Sequence, residues 1–169
     1  MARKTPPEPL APQPVLSLQF RSMLKPSPMT PTQKAAHIGR WAETMTKWHI
    51  RRVKTRPKWQ FVSFRGPAGG ESFGVVDILA IRRDCRLRSD GTKRGDFLQI
   101  VLIQVKGGNA PNPTAQDADR LRVVRKRYHA YEVILATWKK GNAVKFYRLA
   151  NRNGGGRDWR RCHAEDVFG

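Results

Sequence analysis

Two apolar runs limit what this chain can become: FGVVDILAIRR at residues 73–83 and FLQIVLIQVKG at residues 97–107. Runs this continuous read as strands buried on both faces, the kind that sit at the centre of a covered sheet. Each also holds polar groups that such burial penalises. Asp77 stands in the middle of the first run, where an unpaired carboxylate is costly. Gln104 and Lys106 stand near the end of the second, two residues apart and so on one face, with Ile103 and Val105 on the other. If the strands form a hairpin through the polar DCRLRSDGTKRGD, Asp77 lies opposite residues near Ile103. Neighbouring strands are about 5 Å apart, so Asp77, Gln104 and Lys106 are expected to meet at one point of the sheet.

The segments around this pair complete an α/β pattern. TQKAAHIGRWAETMTKWHIRRV has apolar residues at helical spacing, with Ile38, Trp41, Ala42, Met45 and Trp48 as the expected core stripe. KWQFVSF reads as a strand, and RGPAGGESFG as a flexible loop. NPTAQDADRLRVVRKRYHA starts a second helix with Thr114 as cap and Asp117 three residues on, and Ala118, Leu121, Val124 and Tyr128 form its stripe. YEVILATW and AVKFYRLA form a hairpin turned at KKGN. Residues 1–31 hold eight of the twelve prolines and read as an extended arm, residues 32–150 as the folded domain, and residues 151–169 as a basic Gly/Arg/Trp tail.

Charge narrows the partners. Thirty-three Lys and Arg against thirteen Asp and Glu give a net charge of +20, spread along the chain rather than held in one tail. Such a body repels itself unless an anionic partner relieves it, and nucleic acid, DNA first, is the natural candidate. No stretch is long enough to span a bilayer, the N-terminus lacks a signal-peptide pattern, and Cys85 and Cys162 are too few for a disulfide framework. The expected setting is cytoplasmic, nucleoid-associated in a bacterium or phage.

The succession helix, three strands, helix, strand, with an acid on the second strand and Gln-x-Lys on the third, resembles the PD-(D/E)xK nuclease superfamily. VVDILAI carries Asp77 in the first motif position, with Val76 where the motif has Pro. IQVKGG carries Gln104 and Lys106 in the second, in the Gln variant of Mrr-like restriction endonucleases. VKGG followed by TAQ at a helix start is similar to VRR-NUC domains and resolvase-like relatives, which maps Gln116 onto their helix Gln. The resemblance covers residues 33–150 and implies a restriction-endonuclease-like α-β-β-β-α-β core with a mixed sheet flanked by helices. It further implies a metal-dependent endonuclease that hydrolyses phosphodiester bonds in DNA, including junctions or other branched forms. Asp77, the Gln104 amide and the Val105 carbonyl would hold Mg²⁺ or Mn²⁺, and Lys106 would assist water or stabilise charge.

Exchanging a carboxylate for Gln104 lowers the negative charge of the site, so a second acid is expected. Glu43 falls nearly opposite the Ile38–Trp41–Met45 stripe at about 100° per residue, which favours Glu71 in the glycine-rich loop. Arg120, Arg122, Arg125 and Lys126 on the second helix, and Arg157, Trp159, Arg160 and Arg161 near the C-terminus, are the expected nucleic-acid contacts, Trp159 by stacking on a base or wedging a junction. Two copies pairing across a duplex would fit an enzyme that cuts both strands. The same residues admit plainer readings: Asp77 and Lys106 as a buried ion pair, Trp159 as a core plug, and the whole chain as a DNA- or RNA-binding protein that keeps the fold without catalysis.

Overall fold

The structure is a computed structural model, and it describes residues 28–64, 75–86, 91, 93–150 and 158–169. The elements run α1 (Pro31–Arg52), β1 (Gln60–Ser63), β2 (Ile78–Asp84), β3 (Phe97–Gly107), α2 (Ala115–Arg127), β4 (Glu132–Trp138), β5 (Lys145–Leu149), β6 (Trp159–Cys162) and α3 (Glu165–Phe168). The strands form one sheet in sequence order. All neighbours are antiparallel except β3 and β4, which α2 connects in parallel. The expected α-β-β-β-α-β core is therefore present in a mixed sheet flanked by helices. No helix among the described residues is long and apolar enough to cross a membrane.

Alternation along β3 divides the core. Val101 and Ile103 face one side, packing with Ile50, Trp59, Ile78 and Phe168. Leu102 faces the other, packing with Ala118 and Leu121 of α2. Thr114 caps α2 as expected: its hydroxyl accepts from the Asp117 N–H, and the Asp117 carboxylate accepts from the Thr114 N–H at 3.0 Å. The bonds the Asp117 carboxylate accepts from the Thr114 N–H and, second, from the Thr114 hydroxyl at 2.9 Å hold its carboxyl below the ordinary range.

Three expectations need correction. The first concerns α1, which does not bury its tryptophans. Trp41 and Trp48 are 48% and 45% exposed, while Ala42, Thr46 and Ile50 are buried. The cause lies on β3: a Cβ built on Gly107 would stand 3.0 Å from the Ala42 Cβ, the Ile38 Cγ2 and the Ile38 carbonyl oxygen. Helix and strand approach closely at Ile38 and Ala42, and the tryptophans turn outward. The second concerns β2, which begins at Ile78, paired with Ile103, so Asp77 precedes the strand rather than interrupting it.

The third concerns the C-terminus. Residues 159–162 form the sixth strand of the sheet instead of a tail. Val167 and Phe168 of α3 enter the core, where the Trp59 indole N–H donates to the Phe168 carbonyl at 2.8 Å and the two rings meet edge to face. Arg82 stacks on the Trp59 ring, 4.4 Å from its centroid, and donates to the Gly169 carbonyl at 2.9 Å.

Candidate active site

Beyond the last paired residues of β2 and β3 the two strands separate, and Asp77 occupies the fork. Its N–H donates to the Ile103 carbonyl at 3.0 Å. Its carboxylate accepts from the Val105 N–H at 2.6 Å, so a side chain takes the next backbone donor along β3. A charge-assisted bond of this kind fixes the carboxylate's position and repays part of its burial. By continuation of the register Asp77 lies opposite Gln104, one residue from the expected Ile103.

A cavity of about 570 Å³ opens at this fork, between α1 and the end of β3. Asp77, Val105 and Lys106 line it together, and Glu43 lines it from α1. Gln104 does not. It is 6% exposed, shares the face of Leu102, and its amide oxygen is buried without a hydrogen-bond partner among the described residues. Of the three residues expected to converge, Asp77 and Lys106 line the cavity, and Gln104, one strand-face step before Lys106, does not.

Glu43 reaches the cavity because α1 turns its small face to the sheet. With Ala42 at the contact, the next residue emerges at the edge of the interface and not on the solvent side. A stripe chosen by residue size pointed the other way. The signal available in the sequence was the pair of small residues Ala42 and Thr46 on the helix, matched by Gly107 at the end of the strand and Gly108 just beyond it. Gly108 adopts φ +63° and its N–H donates to the Trp138 carbonyl at 2.8 Å, which turns the chain away directly after Lys106.

The donor set suits a hard divalent cation. Among the described residues no three His, Cys, Asp or Glu side chains cluster. A cation here would therefore take the carboxylates of Asp77 and Glu43 and the Val105 carbonyl, all of them oxygen.

The other expected contacts are dispersed. Gln116 is exposed in the first turn of α2 and lines neither this cavity nor the basic one beside it. Arg120 and Lys126 are exposed on the same helix. Arg122 is largely committed to the protein: it donates to Asp119 at 2.8 Å, to Asp158 at 2.7 Å and twice to the Ala150 carbonyl, which uses four of its five N–H donors. Both acids raise its pKa, the hydrogen bond it donates to Asp158 most. Arg125 donates to the carbonyls of Ala130 and Tyr131, tying the end of α2 to the chain leading into β4. Trp159 is partly buried in β6, and Arg160 and Arg161 are exposed on that strand. Glu71 and Arg157 lie outside the described residues.

No protein-family model matches the chain, and a search of curated proteins finds no match. Among solved structures it is similar to Hjc, a Holliday junction resolvase from the archaeal hyperthermophile Archaeoglobus fulgidus. The two share 14% sequence identity, with a TM-score of 0.42, over 75% of this chain and 97% of the resolvase chain.

Proposed function

We propose that this chain is a divalent-metal-dependent DNA endonuclease that hydrolyses phosphodiester bonds from the cavity at the β2–β3 fork. One observation carries the reading: two acids and a lysine from three separate elements, Glu43, Asp77 and Lys106, line one cavity beside the Val105 carbonyl. A solvent-accessible cavity lined by acids and a lysine, on a body of charge +20, suits a metal-bridged anionic substrate.

Mg²⁺ or Mn²⁺ held by Asp77, Glu43 and the Val105 carbonyl would polarise a phosphoryl oxygen and lower the pKa of the attacking water. The protein's own groups do the rest. The Val105 N–H holds the Asp77 carboxylate in one orientation, so no reorganisation is needed when substrate arrives. Lys106 lines the cavity, and its ammonium would neutralise charge developing on the phosphate and orient the water. The turn at Gly107 and Gly108 keeps α1 against β3, and thereby keeps Glu43 beside Asp77.

A second reading has one observation in its favour. Gln104 stands at the strand position that carries an acid in most of the superfamily, which fits a DNA-binding protein that retained the fold and lost hydrolysis. The test is cleavage of supercoiled plasmid and of a four-way DNA junction in Mg²⁺ or Mn²⁺. Wild type is expected to cut, while Asp77→Ala, Lys106→Ala and Glu43→Gln bind DNA without cutting it. Salt-sensitive binding by all four proteins with no cleavage by any would replace the nuclease with the binder.

A further inference from the structure

A second cavity, of about 600 Å³, adjoins the first, and the two share Lys106, Asn109 and Ala110 in their walls. Its floor is the part of the sheet beyond the reach of α2. Leu135 and Thr137 of β4, Tyr147 of β5 and Trp159 of β6 point to that side, as the register pairs Leu135 with Tyr147, and Leu149 of the α2-side core with Trp159. Lys106, Lys139 and Lys145 stand around the floor, and the lining contains no acid. Arg161, opposite Tyr147 in the ladder, adds a fourth cation on the same face. The turn after β3 forms one rim, with Asn109 and Asn112, and Asn142 stands on the opposite one.

We infer that this groove receives an unpaired nucleotide of the DNA strand being cut, with its base on Tyr147 and Trp159 and its phosphates on the lysines. The inference rests on the nuclease reading for what lies next door. Aromatic rings on a sheet face ringed by cations are the means by which proteins hold single strands, since every base offers a π-face and every link a phosphate. A duplex keeps its base faces inside its own stack and cannot offer one to a recessed floor. Continuity with the fork cavity through Lys106 makes the occupant a chain that passes from one cavity to the other, rather than a free nucleotide. The substrate class that follows is DNA with an unpaired segment beside the scissile bond, as at a branch point, flap or displaced strand.

Binding measured with a chelator present isolates this claim from catalysis. A short oligodeoxynucleotide bearing 5-iododeoxyuridine is irradiated with the full-length protein, and the cross-link is mapped by mass spectrometry to Tyr147 or Trp159. Tyr147→Leu, which keeps apolar contact with Leu135, is expected to weaken single-strand binding about tenfold. The double variant Lys139→Gln/Lys145→Gln is expected to lower the single-strand salt slope by about 1.4. Blunt duplex binding should change less than about twofold in either variant, because a duplex reaches only the general positive surface. Cross-links confined to other aromatic residues, or equal losses for duplex and single strand, would overturn the groove. A wild type that cross-links at Tyr147 yet never cleaves would leave the groove standing and remove the nuclease reading.

Discussion

Gly107→Ala tests the link between the packing of α1 and the chemistry. The added methyl would sit 3.0 Å from three atoms, against 3.4–4 Å for ordinary contact, so the neighbours must retreat by 0.4 to 1.0 Å. Two of the three, the Ala42 Cβ and the Ile38 carbonyl oxygen, cannot swing aside as a long side chain does. The helix itself has to move. Overpacking of this kind costs about 1–3 kcal/mol, and removing the glycine's excess unfolded-state freedom returns roughly 0.5–1 kcal/mol. The net loss, about 0–2.5 kcal/mol and centred near 1 kcal/mol, lowers Tm by about 2–4 °C at its centre for a domain of this size.

Activity should fall further than stability, because Glu43 follows Ala42 and moves with it. A displacement approaching 1 Å at a reacting group costs on the order of 10²-fold, so kcat for junction cleavage is expected to drop about 10- to 100-fold with DNA affinity unchanged. Gly39→Ala is the control, since nothing lies within 4 Å of the Cβ it would add. It should stabilise α1 by about 0.5–1 kcal/mol through helix propensity alone. Thermal unfolding by circular dichroism and single-turnover cleavage decide the matter. An unchanged Tm in Gly107→Ala would refute the close approach, and a lowered Tm with full kcat would refute Glu43 as part of the site.

Gln104→Glu places a carboxylate in a buried position, so Tm measured in chelator should fall by several degrees, and Mn²⁺ or Mg²⁺ should restore much of the loss if the new acid meets the cation. No metal-dependent recovery in a differential scanning experiment would place Gln104 outside the metal site. Thr114→Ala removes the cap of α2 and should cost about 0.5–2 kcal/mol at neutral pH. Asp117's folded pKa is depressed, so its contribution is present above the ordinary carboxylate range and is lost as pH falls through the folded value. The wild-type advantage in urea unfolding should therefore shrink in acid, and a constant difference would refute the pairing. Phe168→Ala empties a fully buried site against Trp59 and Phe146, and should cost about 3–5 kcal/mol by chemical denaturation. A negligible loss would return the C-terminal residues to the status of a tail.

Local chemistry determined much of this molecule before folding entered. Continuous apolar runs can only be covered strands, so the placement of β2 and β3, and with them the nearness of Asp77 to the end of β3, was legible from residue types. The Thr114–Asp117 cap and the KKGN turn were legible for the same reason, each being a hydrogen-bonding pattern complete within a few residues. What lay beyond local reach was decided by contact between distant segments. The face α1 turns inward depends on a glycine more than sixty residues away, which is why size periodicity put Glu43 on the wrong side. Trp159, Tyr147 and Lys106 become neighbours only when β6 completes the sheet, since a four-residue strand gains its hydrogen bonds from a partner and not from its own sequence. Arg122 and Arg125, read as phosphate contacts by their charge, also donate to acids and carbonyls that only the folded chain brings within reach.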